Sequence, residues 1–163
     1  MPLQISFAEG QSDFDTSRRL FLEYAETLGF SLCFQGFDEE LETLPGKYAA
    51  PNGAILLAWD ELDCAGCVGL RPLSETVCEM KRLYVKPAYR STGLGRLMAE
   101  KILRFAKESN YSKIMLDTLS SMESAQGLYR SLGFSETEPY YHNPHQDVVF
   151  FEKILAEPKL KKS

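Results

Sequence analysis

Apolar residues change their period several times along this chain, and the changes mark its elements. Leu3, Ile5 and Phe7 alternate with their neighbours, which predicts a short strand over 3–7. Leu20, Phe21, Tyr24 and Leu28 then recur at helical spacing, predicting a helix capped by Ser12 or Asp13 and stopped by Gly29. Residues 38–44 read as a short helix ended by Pro45 and Gly46, within an irregular aromatic stretch of the kind that covers sites. Residues 53–59 and 64–72 are rich in β-formers and are joined as a hairpin; 77–85 follows as a further strand. Leu94, Leu97, Met98, Ile102, Phe105 and Ala106 define the apolar face of the clearest helix. A strand over 113–118, a helix from a Ser121 cap to about Leu132 with Gly133 as its left-handed stop, and a strand over 147–154 complete the chain. The order β-α-α-β-β-β-α-β-α-β predicts an α/β layered domain: a mixed, mostly antiparallel sheet flanked by helices, with a parallel central pair from the unit over 77–118. No repeat or linker divides it, so residues 1–163 read as one domain.

The strand over 77–85 has an internal irregularity. Cys78 and Met80 share one parity, whereas Leu83 and Val85 take the other. A β-bulge between the pairs would return both to one face and leave backbone groups unpaired; a strand with one solvated half would give the same pattern.

Composition adds limits rather than direction. The chain is 44% hydrophobic and 25% charged, as ordinary globular proteins are, and its formal charge of -5 disfavours nucleic acid as a partner. The N-terminal residues lack a basic-then-apolar leader and no stretch approaches the ~18 apolar residues of a membrane span, so a cytoplasmic location without a membrane partner is expected. Cys33, Cys64, Cys67 and Cys78 are then reduced thiols filling the core. Cys64-x-x-Cys67 and His142-x-x-His145 imitate a zinc set, but the odd spacing on a strand places the two cysteines on opposite faces, so no metal is expected. Trp59, Tyr140 and Tyr141 suit either an acceptor pocket or packing at strand edges. The basic end at 159–162 reads as a frayed terminus.

Chemistry concentrates between that strand and the strongest helix. Arg90-Ser91-Thr92-Gly93-Leu94-Gly95-Arg96 places two glycines at a helix start, where unpaired N–H groups and the helix dipole favour phosphate. Met98 stands where a Rossmann fingerprint needs its third Gly, and no Gly-Lys-Ser or Gly-Lys-Thr makes a Walker A turn. Arg90-x-x-Gly93-x-Gly95 resembles the Arg/Gln-x-x-Gly-x-Gly/Ala motif of the GNAT superfamily of N-acetyltransferases. Leu83-Tyr84-Val85 resembles the end of that family's fourth strand, and Ala125 to Phe134 its Ala-x-x-Leu-Tyr-x-x-x-Gly-Phe helix.

The resemblance implies acetyl-CoA as cosubstrate, no metal, a splayed central strand pair, and transfer of the acetyl group to a primary amine of a small molecule or peptide. Backbone of Arg90, Ser91, Thr92, Gly93, Leu94, Gly95 and Arg96 would hold the CoA diphosphate, and backbone around Leu83, Tyr84 and Val85 the pantetheine arm. The N–H of Leu83 or Tyr84 would stabilise the oxyanion. Tyr129 takes the place of the general acid and Glu79 that of the general base, with Asp117 in reserve; Glu79 beside Lys81 fits a surface ion pair equally well. Met122 replaces an Asn that contacts CoA in many relatives, leaving Glu123, Ser124 or Gln126 as substitutes. A non-catalytic acyl-CoA-binding regulatory module is the alternative reading, and a homodimer is compatible with either.

Overall fold

A computed structural model describes residues 3–28, 36–143 and 147–156. The elements are β1 (Gln4–Phe7), α1 (Gly10–Thr27), α2 (Phe37–Glu42), β2 (Ala54–Asp60), β3 (Asp63–Pro72), β4 (Val77–Val85), α3 (Leu94–Glu108), β5 (Lys113–Leu119), α4 (Glu123–Ser131), β6 (Ser135–Thr137) and β7 (Val148–Ile154). Single 3₁₀ turns at Gly46–Tyr48 and Pro87–Tyr89 lead into β2 and α3.

Seven strands form one sheet in the order β1-β2-β3-β4-β5-β7-β6. Every neighbouring pair is antiparallel except β4–β5, which is parallel. That pair joins Val77 to Lys113, Cys78 to Ile114 and Glu79 to Met115, and its ladder ends there. Beyond Glu79 the two strands splay, as the resemblance implied.

Side-chain alternation gives the sheet two apolar faces. Leu56, Val68, Leu70, Cys78, Met80, Ile114 and Leu116 pack under Leu94, Met98, Ile102 and Ala106 of α3 and Tyr129 of α4. Ile55, Leu57, Cys64, Cys67 and Tyr84 pack under Leu20 and Phe21 of α1 and Phe37 and Leu41 of α2. Leu97, expected on the buried face of α3, is 45% exposed; the stripe runs through Met98, Ala99 and Ile102 instead.

Three local expectations are corrected. Helix α1 begins at Gly10, ahead of Ser12 and Asp13, because the Asp13 carboxylate reaches back to accept the Glu9 N–H at 2.9 Å and secures an earlier start. Helix α4 is entered from Met122, not Ser121, and has no side-chain cap. Cys64 and Cys67 share one face: Ala58 pairs with Gly66 and Trp59 with Cys64, so Ala65 is an extra residue whose bulge cancels the odd spacing. Gly29, Cys33 and His145 lie outside the described residues. Strand β6 is too short for periodicity to reveal.

Candidate active site

The phase slip in β4 is a bulge. Gly69 faces Lys81 and Cys67 faces Tyr84, so Arg82 and Leu83 together oppose Val68. Arg82 absorbs the extra residue at φ 59°, a conformation that a side chain rarely adopts. Leu83 and Val85 consequently return to the face of Cys78 and Met80. Arg82 turns its guanidinium the other way, among the α2 residues.

The splay beyond Glu79 opens a cleft of about 630 Å³ that brings together Leu83, Tyr84, Val85, Arg90, Gly95, Asp117 and Tyr129. Tyr129 and Val85 belong to the α3 side of the sheet and Tyr24 and Tyr84 to the α1 side, so the cleft passes between the strands from one face to the other. At its α3 end, Arg90 is held by an Nε bond to the Val85 carbonyl at 3.1 Å. Ser91 (φ 65°) and Gly93 (φ 84°) turn the chain sharply into α3. Leu94, Gly95 and Arg96 form its first turn, whose N–H groups have no partner within the helix.

Tyr129 is placed by the end of its own helix. Gly133 at φ 96° donates to the Arg130 carbonyl and Phe134 to the Tyr129 carbonyl, both at 3.0 Å, a Schellman closure in which the Phe134 ring packs 5.8 Å from the Tyr129 ring. The motif's Gly and Phe thus fix the Tyr. Burial pushes the Tyr129 phenol well above its ordinary pKa, so it remains a proton donor through the neutral range.

On the α1 and α2 side stands a buried ionic network. Glu79 is 1% exposed; it accepts from Arg71 Nε at 2.8 Å and from the Tyr140 hydroxyl. It is no surface pair. Lys81 Nζ stands 3.8 Å from Glu79 and 3.6 Å from Asp117, and burial pushes its ammonium below the usual pKa despite the Asp117 charge. Arg82 clamps Glu40 of α2 through Nε and Nη2 at 3.1 and 3.0 Å. Tyr141 donates to Asp117. Asp117 lines the cleft, whereas Glu79 does not. Sequence reading pairs Glu79 with Lys81 and names Asp117, Tyr140 and Tyr141 singly; Arg71 and Arg82 it misses, because distant elements bring them into the network.

Met122 and its neighbours Glu123 and Ser124 line the cleft. Gln126 instead donates its side-chain amide to the Leu119 and Ser120 carbonyls. Among the described residues the thiols of Cys64, Cys67 and Cys78 are buried, and burial raises the pKa of each, that of Cys78 to about 12. No three His, Cys, Asp or Glu side chains among those residues come together as a metal site.

The family described as Acetyltransferase (GNAT) family matches residues 18–134. The chain belongs to the GNAT acetyltransferase family. An uncharacterized N-acetyltransferase of Schizosaccharomyces pombe is 42% identical over 95% of this chain and 96% of its own length. Another, from Dictyostelium discoideum, is 31% identical over 92% of this chain and 98% of its own. Among solved structures, a GNAT-family acetyltransferase from Staphylococcus aureus superposes with a TM-score of 0.78 at 23% identity, covering 95% of this chain and 100% of that one. A putative acetyltransferase from Salmonella typhimurium, solved with its cofactor acetyl-CoA, gives 0.75 at 17% identity over 99% and 98%. This acetyltransferase is therefore an acyl-transferring enzyme on the fold of those structures. No helix of its described residues is long and apolar enough to cross a membrane.

Proposed function

We propose that residues 1–163 act as one domain that transfers the acetyl group of acetyl-CoA directly to a primary amine. The observation that carries this reading is the cleft through the splayed sheet, with a proton donor, Tyr129, on one side and a carboxylate, Asp117, on the other. The diphosphate lies on the turn from Arg90 through Ser91, Thr92, Gly93, Leu94 and Gly95 to Arg96, where N–H groups and the helix dipole meet it. The acyl arm runs along Leu83, Tyr84 and Val85, whose edge is left without a ladder by the splay.

The amine enters from the α1 side, loses its proton and attacks the thioester carbonyl. Backbone N–H of Leu83 or Tyr84 at the bulge stabilises the oxyanion. Tyr129 then protonates the departing thiolate. The base is the carboxylate pair Glu79 and Asp117 bridged by Lys81. Asp117 is the member open to the amine; Glu79, enclosed by Arg71 and Tyr140, acts through the groups bonded to it. No step in this scheme calls on a metal. Glu123 and Ser124 stand in for the Asn that Met122 replaces.

The acceptor is a soluble small molecule or peptide met in the cytoplasm. Similar folds include a ribosomal-protein-S18-alanine N-acetyltransferase of Escherichia coli and a putative phosphinothricin N-acetyltransferase, so both acceptor sizes belong in the test. Incubating the chain with acetyl-CoA and a panel of amines and peptides, with mass-spectrometric readout, should yield products heavier by one acetyl group. Absence of acetylation of every amine offered, with acetyl-CoA shown to be bound, would overturn the reading.

A further inference from the structure

A second cavity, of about 400 Å³, lies between α2 and β3 and is lined by Glu39, Glu40, Thr43, Lys47, Tyr48 and Arg71. It shares no residue with the cleft. Tyr48 reaches it from the 3₁₀ turn ahead of β2, 3% exposed, its ring edge-on to Phe21 at 5.8 Å. The ring lies so close to β3 that a Cβ on Gly69 would come within 2.7 Å of it, which is why that strand position is glycine. Its hydroxyl is buried without a hydrogen-bond partner among the described residues. Burial pushes that phenol far above its ordinary pKa, so it presents a neutral O–H.

An unpaired buried hydroxyl destabilises the protein that carries it, and the cost is recovered when a ligand accepts its proton. The other groups indicate what that ligand is. Among the described residues only the Nε of Arg71 makes a hydrogen bond; its Nη1 stands 3.8 Å from Glu40, beyond hydrogen-bond reach. Arg71 and the exposed Lys47 line the cavity with positive charge, and Glu39 and Glu40 line it with an equal negative charge. A simple anion would be repelled by the carboxylates and a simple amine by the cations.

We propose that this cavity is a second ligand site and that it takes a small zwitterion, a free amino acid, with its carboxylate on Tyr48, Lys47 and Arg71 and its ammonium towards Glu39 and Glu40. Glu40 is also the clamp on Arg82, so the site lies one ion pair from the β4 bulge.

Binding is read without acetyl transfer, by calorimetry on the full chain with glutamate, alanine and lysine, each beside its methyl ester and its decarboxylated amine. At least one amino acid should bind saturably, about tenfold or more tighter than its ester and amine, whether or not CoA is present. Tyr48→Phe should weaken that binding about tenfold while raising the melting temperature of the ligand-free protein, two opposite signs that a packing role cannot produce. Lys47→Ala, a surface change, should weaken it as well and decides the matter if Tyr48→Phe fails to fold. Absence of saturable binding by all three amino acids, equal binding of the ester, competition by CoA, or parental affinity in the variants would overturn the proposal.

Discussion

The two faces of the sheet do different work with different materials. On the α3 side, apolar packing supports a turn and a helix start that offer backbone N–H groups, and the mechanism we propose asks for one side chain there, Tyr129. On the α1 and α2 side, Arg71, Lys81 and Arg82 face Glu40, Glu79 and Asp117, with Glu79, Lys81 and Arg82 almost fully buried. Backbone suits a cosubstrate common to many enzymes; a set of fixed charges suits recognition of one acceptor among many. The bulge at Arg82 joins the faces, because the residue that turns Leu83 and Val85 towards α3 sends its own charge into the network.

That division predicts the largest effect at Arg82. Arg82→Ala leaves Glu40 buried without its bidentate partner and should destabilise the fold by about 3–5 kcal/mol, as much as a core truncation such as Met98→Ala on the opposite face, at about 2–5 kcal/mol. The double replacement Arg82→Met with Glu40→Leu should recover most of it. Chemical denaturation of the three variants checks this; a loss under about 1 kcal/mol for Arg82→Ala would demote the network to a solvated cluster.

Tyr129→Phe should leave CoA affinity unchanged and slow turnover by about 10²-fold or more. The ring still packs against Phe134 and Phe151, so a near-normal rate would return Tyr129 to packing alone.

Much of the α3 side was legible in the sequence because its determinants are local. Gly93 opening a helix, Gly133 closing one and the parity change from Met80 to Leu83 each report backbone geometry within a few residues. The other side was not, because Glu40, Arg71 and Arg82 meet only after three elements fold together, and an isolated Glu or Arg in a sequence carries no sign of its partner. The same limit misplaced Cys64 and Cys67, whose shared face depends on a bulge at Ala65 opposite β2.

Within the network, Asp117 and Glu79 can be told apart. Asp117→Asn removes the carboxylate that lines the cleft, and a loss of about tenfold at neutral pH, some 1.4 kcal/mol in the barrier, is expected. The deficit should shrink as pH rises, since more of the free amine then arrives deprotonated and needs no base. Glu79→Gln should give a smaller deficit with the same pH trend. Profiles of kcat/KM against pH measure both; a larger loss for Glu79→Gln would make it the principal base, and two profiles parallel to the parent's would remove both.

The smallest effect is expected at Gly95, and there stability and binding should move in opposite directions. Gly95 sits in the first turn of α3 in ordinary helical conformation, and a methyl group on it would meet only Val85 Cγ2 at 3.8 Å and Leu128 Cδ2 at 4.0 Å, both van der Waals contacts. Nothing in the fold requires glycine there. Alanine restricts the unfolded chain and favours the helix, so Gly95→Ala should stabilise the protein by up to about 1 kcal/mol. The same methyl would stand on the wall of the cleft, beside the N–H groups assigned to the diphosphate, and should weaken CoA binding severalfold, each tenfold costing about 1.4 kcal/mol. Calorimetry and thermal melting on one variant therefore separate a glycine kept for a ligand from a glycine kept for the chain. If CoA binds the variant as well as the parent while the melting temperature rises, the diphosphate does not approach this turn closely, and its place must be sought nearer Ser91 and Gly93.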